Sequence, residues 1–160
     1  MKFYYAKIIV IFDKKGPQNF MKAMFPGSFD PIHDGHLNII KKAIKLFPTL
    51  YVVVSNNLEK TAQTDINLRA AKVNAMCAEI SPNITVLIND TILTSSLAEQ
   101  LGISYIIRGL RNNDDLKYEL ELSYAMKKLN PQLETIFLIA DYGLNEISST
   151  FLKQINKLKK

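Results

Sequence analysis

The chain has one cysteine, two histidines and no apolar run long enough to cross a bilayer. With Cys77 alone, a disulfide framework and a cysteine-built metal cluster are both excluded, which fits a reducing, cytoplasmic compartment. Phe3 to Phe12 is apolar but broken by Lys7, far too short for a membrane span. No small-residue cleavage site follows it, so a secretory leader is not expected. His33 and His36 form one His-x-x-His pair with no cysteine or clustered acid beside it, too few ligands for zinc. A basic stripe is also missing from the body of the chain. The net charge is +5, but residues 1–20 hold four Lys against one Asp and residues 153–160 hold four Lys, which leaves residues 21–152 at −2. A nucleic-acid reader would carry its basicity on the folded body, so nucleic acid and membrane are not expected partners. What is present is ordinary for a single soluble domain: 160 residues, 48% hydrophobic and 22% charged.

From Met21 onward, short β-rich runs alternate with amphipathic segments. Strands are predicted at Lys22–Phe25, Leu50–Ser55, 84–88, 105–109 and 135–140. Helices are predicted at Gly35–Phe47, Asp65–Ile80, Thr94–Leu101, Asp114–Leu129 and Ser148–Leu158. Leu37, Ile40, Ile44 and Phe47 make one helical stripe, which Pro48 stops. Thr64 or Asp65 is a natural N-cap, and Gly102 suits the residue just past a helix end. "LYVVVS" (50–55) is continuously apolar and β-branched, as a strand buried on both faces must be. This alternation predicts an α/β fold: a doubly wound, five-stranded parallel sheet of Rossmann-like type in a single domain. Ligands of such sheets bind beyond the carboxyl ends of the strands, and the unusual clusters of this chain fall there.

The densest cluster is "FPGSFDPIHDGH" (25–36). Gly27 and Ser28 follow a strand and let the backbone approach a ligand. Gly35 and His36 open a helix whose N–H groups favour an anion. The glycine spacing fits neither a G-x-G-x-x-G loop nor a Walker P-loop. The bland alternative makes His33 and His36 ordinary loop residues, perhaps capping donors. Phosphate binding is the better-supported use of an imidazole at a helix N-terminus beside a glycine turn. Arg108 and Arg111 bracket Gly109 and Leu110 at the end of the fourth strand. Two loop arginines are often solvated or paired with nearby acids, and Asp114 and Asp115 are available. Two guanidinium forks at a strand's end also suit phosphate. Glu119 reads by default as a solvated helix charge, Lys60 as a surface charge, and "ISST" (147–150) as an N-cap cluster.

"PGSFDPIHDGH", "RGLR" (108–111), "DLKYELEL" (115–122) and "EISST" (146–150), in this order and spacing, resemble the phosphopantetheine adenylyltransferase family of the (His/Thr)-x-Gly-His nucleotidyltransferases. The resemblance runs from about Met21 to Lys157. It implies direct adenylyl transfer from ATP to 4′-phosphopantetheine, with Mg²⁺ held through the phosphates and no metal ligand from a protein side chain. It implies two catalytic residues, His36 as transition-state stabiliser and Lys60 orienting the attacking phosphate. It also implies acceptor contacts from Ser28, Lys60, Thr94 and Arg108. ATP contacts follow from Ser28, Phe29, His36, Gly109, Leu110, Arg111, Glu119, Leu144, Asn145, Glu146, Ile147, Ser148, Ser149 and Thr150. It further implies a cytoplasmic homohexamer, and makes residues 1–20 an extension before the domain at 21–160. His33 and "ISST" depart toward sibling enzymes acting on nicotinate mononucleotide or a small phosphorylated alcohol. A non-catalytic nucleotide-binding module is the remaining alternative.

Overall fold

The apolar run at the chain's second strand is as dry as its composition demands: Leu50, Val52, Val53 and Val54 are all 0% exposed. In the computed structural model, which describes residues 21–56, 64–110 and 113–141, that run lies second in a parallel sheet of order β3-β2-β1-β4-β5. The strands are β1 (Lys22–Gly27), β2 (Thr49–Ser55), β3 (Ile84–Asn89), β4 (Tyr105–Leu110) and β5 (Glu134–Ile139). The helices are α1 (Asp34–Leu46), α2 (Ile66–Ala78), α3 (Thr94–Gln100) and α4 (Asn113–Leu129). Each predicted element within the described residues forms, with ends moved by one or two residues. The helix expected at Ser148–Leu158 lies outside them.

Period-two alternation in the central strands divides the core between the two faces of the sheet. Ala23, Phe25, Val52, Val54 and Ile107 pack against α1 and α2, together with Ile39, Ile40, Ala43 and Val73. Met24, Val53 and Ile106 face the other way, toward Leu97 and Ala98 of α3, with Met126 of α4 against the same cluster. Burying such a side chain contributes about 1.5–3 kcal/mol of transfer free energy, so the central strands dominate the sheet's stability. Cys77 belongs to this core at 1% exposed. Burial pushes its thiol from 9.0 up to about 11, so it stays protonated and packs as a small apolar group.

Local chemistry sets the helix ends. Asp65 caps α2, its carboxylate accepting from the N–H groups of Asn67 and Leu68 at 2.9 and 3.2 Å. Gly102 follows α3 at φ +62°, a left-handed conformation that glycine adopts without a Cβ penalty. Its N–H donates to Glu99 O at 3.1 Å while that of Ile103 donates to Ala98 O at 2.8 Å, the paired bonds of a Schellman ending.

The chain reverses direction across the sheet between β1 and β4, and there the strands part. β1 pairs with β2 over six residues, but with β4 only at Ala23–Tyr105 and Met24–Ile106. Beyond Met24 the two backbones leave a crevice at their carboxyl ends. Gly109 lets α1 sit close over it, since a Cβ there would lie 3.0 Å from Ile39 Cγ1.

Candidate active site

The crevice opens into a cavity of about 590 Å³. Its lining gathers residues far apart in sequence: Ser28 from the β1 loop, His33 and His36 from α1, Ser55 and Asn56 from the end of β2. Thr94 of α3, Arg108 and Gly109 of β4, and Tyr118, Glu119, Leu122 and Met126 of α4 also line it. Of the expected site residues, Ser28, His36, Thr94, Arg108, Gly109 and Glu119 therefore share one cavity. Phe29 and Leu110 do not line it. Lys60, Arg111 and the stretch Leu144, Asn145, Glu146, Ile147, Ser148, Ser149 and Thr150 lie outside the described residues.

The two histidines cap α1 reciprocally. His33 is the N-cap, in extended conformation at φ −146°, and its Nδ1 accepts from the Gly35 N–H at 3.1 Å. The imidazole thus caps as an acceptor, where the sequence suggested a donor. In return the His33 N–H donates to Nδ1 of His36 at 3.3 Å. A nitrogen that accepts carries no proton, so the neutral His36 ring bears its hydrogen on Nε2. The rings stack at 3.8 Å between centroids, and the Phe29 ring meets His36 edge-on at 4.9 Å. Stacking, edge contact and the cap hydrogen bond together fix the imidazole's orientation.

Phe29 is the support beneath this pair. It is 1% exposed and sits at φ +47°, a left-handed conformation that costs a non-glycine residue about 1–2 kcal/mol. Packing holds it there: its ring lies edge-on to Phe25 at 5.5 Å. A Cβ on Gly27 would come within 3.1 Å of that ring. The glycine expected to admit a ligand also makes room for the Phe29 ring.

Arg108 and Glu119 hold each other. Nε donates to Glu119 Oε2 at 2.5 Å and one Nη2 hydrogen to Oε1 at 2.7 Å, a bidentate pair. Nη1 donates to Pro26 O at 3.2 Å, bridging the crevice where the β1–β4 ladder has ended. A guanidinium has five N–H groups, so one on Nη1 and one on Nη2 remain for an anion. The sequence offers Asp114 and Asp115 as partners for the arginines, whereas Glu119, nearly two turns into α4, holds Arg108.

Sequence reading missed three contributions. Tyr118, Leu122 and Met126, spaced by four on α4, form an apolar wall; the same spacing marks any core-facing stripe, so nothing in the sequence sets it apart. Ser55 lines the cavity, and its Oγ is buried without a hydrogen-bond partner among the described residues. Arg69, on α2, is buried at 2% exposed.

At the end of β5, Asp141 is tied to α1. Its carboxylate accepts from Lys42 Nζ at 2.5 Å and from Asn38 Nδ2 at 2.9 Å, and its N–H donates to Asn38 Oδ1 at 3.1 Å. The Lys42 hydrogen bond, then that of Asn38, holds its carboxyl below the ordinary 3.8. A lowered folded-state value means that this stabilisation is present above the unfolded value and is lost as pH falls through the folded one. We expect Asp141→Asn to lower the urea midpoint at pH 7 and to match wild type once acid has protonated Asp141. A constant difference at both pH values would show that the carboxylate's charge is not the stabilising feature.

A parallel 3-2-1-4-5 sheet with a histidine-capped helix at its switch point defines the class: a nucleotidyltransferase, and the cytidylyltransferase-like family model matches residues 24–155. The phosphopantetheine adenylyltransferase of Mycoplasma mycoides is 43% identical over 138 residues, covering 86% of this chain and 98% of its own. That of Finegoldia magna is 39% identical over 137 residues, covering 86% and 83%. The chain belongs to the phosphopantetheine adenylyltransferase family. Among solved structures, the pantoate-β-alanine ligase of Francisella tularensis superposes with TM-score 0.56 at 12% identity, over 89% of this chain and 73% of that one. The lipopolysaccharide core biosynthesis protein of Thermoplasma volcanium gives 0.52 at 22% identity, over 76% and 96%. These two show the fold alone.

Proposed function

We propose that the chain transfers the adenylyl group of ATP reversibly to 4′-phosphopantetheine, giving dephospho-coenzyme A and pyrophosphate. The observation that carries this reading is the reciprocal His33–His36 cap, which fixes an Nε2–H donor at a helix N-terminus on the same cavity as the Arg108 fork. In this reading an oxygen of the acceptor phosphate attacks the α-phosphorus in line. A P–O bond forms there as the bond to the leaving pyrophosphate breaks, with no covalent enzyme intermediate. The acceptor phosphate is already anionic at neutral pH, so no general base is needed, and rate comes from positioning and charge stabilisation. His36 donates to the α-phosphate oxygen as charge grows on it. Ser28, Lys60 and the two remaining N–H groups of Arg108 hold the acceptor phosphate. Gly109 to Arg111 and the 144–150 stretch take the ATP side, with Ser148, Ser149 and Thr150 on the leaving pyrophosphate.

The cavity's two characters suit the rest of the acceptor. Tyr118, Leu122 and Met126 offer apolar surface, while Ser55, Asn56 and Thr94 offer polar groups. A pantetheine arm alternates methylenes with amides and needs both. Phosphate oxygens and water are the ligands we propose for Mg²⁺, as the family resemblance implies. When bound, that ion supplies neutralising charge to the phosphates. Family resemblance adds a cytoplasmic location and a homohexameric assembly to this reading. No helix among the described residues is long and apolar enough to cross a membrane.

The test is pyrophosphate release with ATP and Mg²⁺, with 4′-phosphopantetheine and nicotinate mononucleotide as parallel acceptors. Turnover is expected with the first alone. Turnover with the second alone would mean that His33 marks a change of acceptor. Release with neither would leave a nucleotide-binding module.

A further inference from the structure

The Arg69 guanidinium is enclosed by neutral oxygens from three separate segments. Nη1 donates to Ser28 O at 2.6 Å and to Ser55 O at 3.0 Å. Nη2 donates to Asn56 Oδ1 at 2.5 Å, and Nε to Thr64 O at 2.8 Å. The first two contacts have a particular place in the sheet. The β1–β2 register ends at Gly27–Val54, and Ser28 and Ser55 are the residues that come next on each strand. One Nη1 bonds both carbonyls, so the side chain bridges the two strands just where their ladder stops. The other contacts join this bridge to the entry of α2, whose Thr64 N–H also donates to Asp30 Oδ2 of the β1 loop at 3.0 Å.

We infer that Arg69 is a positioning residue for adenylyl transfer: its fork sets the separation of the β1 loop from the end of β2, and thereby the placement of Ser28 and Ser55 in the cavity they share with His36 and Arg108. This inference rests on the function proposed above. Four acceptors lie around one planar fork, and each donor is directed at a different backbone or side-chain oxygen. A lysine at this position keeps the charge but offers three donors on a single flexible nitrogen, which does not span three segments at once. The buried cation also lies close behind a rim built to receive phosphates, and among the described residues only neutral oxygens are bonded to it. Its loss therefore disturbs the site in both geometry and potential. Misplacing reacting groups by about 1 Å costs on the order of 10² in rate, so a small relaxation of the β1 loop is enough to be measured.

The experiment compares wild type, Arg69→Lys and Arg69→Ala. Pyrophosphate release gives kcat and KM for each substrate, and thermal melts with and without ATP report folding and nucleotide binding. Arg69→Lys is expected to fold and to keep an ATP-dependent thermal shift. Its kcat should fall about 10- to 100-fold, with KM for ATP within about threefold of wild type. Millimolar methylguanidinium should recover part of the Arg69→Ala rate and leave wild type unchanged. Wild-type kcat in Arg69→Lys would overturn the inference. So would an Arg69→Ala loss that only matches its unfolded fraction and is not recovered by methylguanidinium. Failure of the proposed reaction would show in the wild type itself, whereas failure of the inference shows only in the ratio of variant to wild type with the acceptor that turns over.

Discussion

His36→Ala is expected to lower kcat for pyrophosphate release by about 10²–10³ while the ATP-dependent rise in melting temperature largely persists. The reasoning starts from where the ring's hydrogen lies. Nδ1 accepts from the His33 N–H, so the donor is Nε2, and stacking on His33 with the edge of Phe29 prevents the ring from rotating to offer the other nitrogen. A donor fixed in this way costs no reorganisation when charge builds on the α-phosphate, and losing it affects the transition state more than the bound substrate. The same substitution removes one arm of the reciprocal cap. Removing a cap costs on the order of 1 kcal/mol, which the melting temperature will register but which leaves the domain folded. Comparing kcat with thermal shift in one sample separates the two effects. Turnover within about threefold of wild type would remove His36 from the chemical step and leave it as a helix cap.

Much of this arrangement was legible in the sequence because its signals are local. A β-branched run, a glycine at a helix end and an Asp at a helix start each have a single physical reading, and β2, Gly102 and Asp65 follow them. The cavity position was legible too, because strand ends and odd clusters coincided. What escaped depends on contacts across the fold. Arg69 bonds carbonyls from the β1 loop, the β2 end and the start of α2, and backbone carbonyls leave no mark in a sequence. Gly27 reads as a ligand contact because glycine admits one, yet a ring two residues away fills the space a Cβ would take. Sequence proximity points Arg108 to Asp114 and Asp115, whereas the helical turn of α4 brings Glu119 to it, eleven residues on.

The Arg108–Glu119 pair leads to the second large effect. Its side chains are 19% and 11% exposed, so each charge depends on the other for much of its solvation. Removing one member of a buried pair strands the other, at a cost of about 3–5 kcal/mol. Residual exposure places Glu119→Ala toward the lower end, still large beside a typical domain stability of about 5–15 kcal/mol. Glu119→Gln tests the same point more gently: one amide oxygen still accepts from the fork, but the charge and one of two bonds are gone. The pair also has a functional consequence. With Glu119 taking Nε and one Nη2 hydrogen, and Pro26 taking Nη1, the two remaining N–H groups are held in a fixed direction for a phosphate. Released by Glu119→Gln, the guanidinium loses that direction while keeping its charge. We therefore expect a raised KM for the acceptor with a smaller change in kcat, together with a lowered urea midpoint. Arg108→Lys should raise the acceptor KM further, because a lysine does not reproduce the fork. If Glu119→Gln leaves both the midpoint and the acceptor KM unchanged, the carboxylate does not orient Arg108, and the ATP contact implied by family resemblance becomes the better account of Glu119.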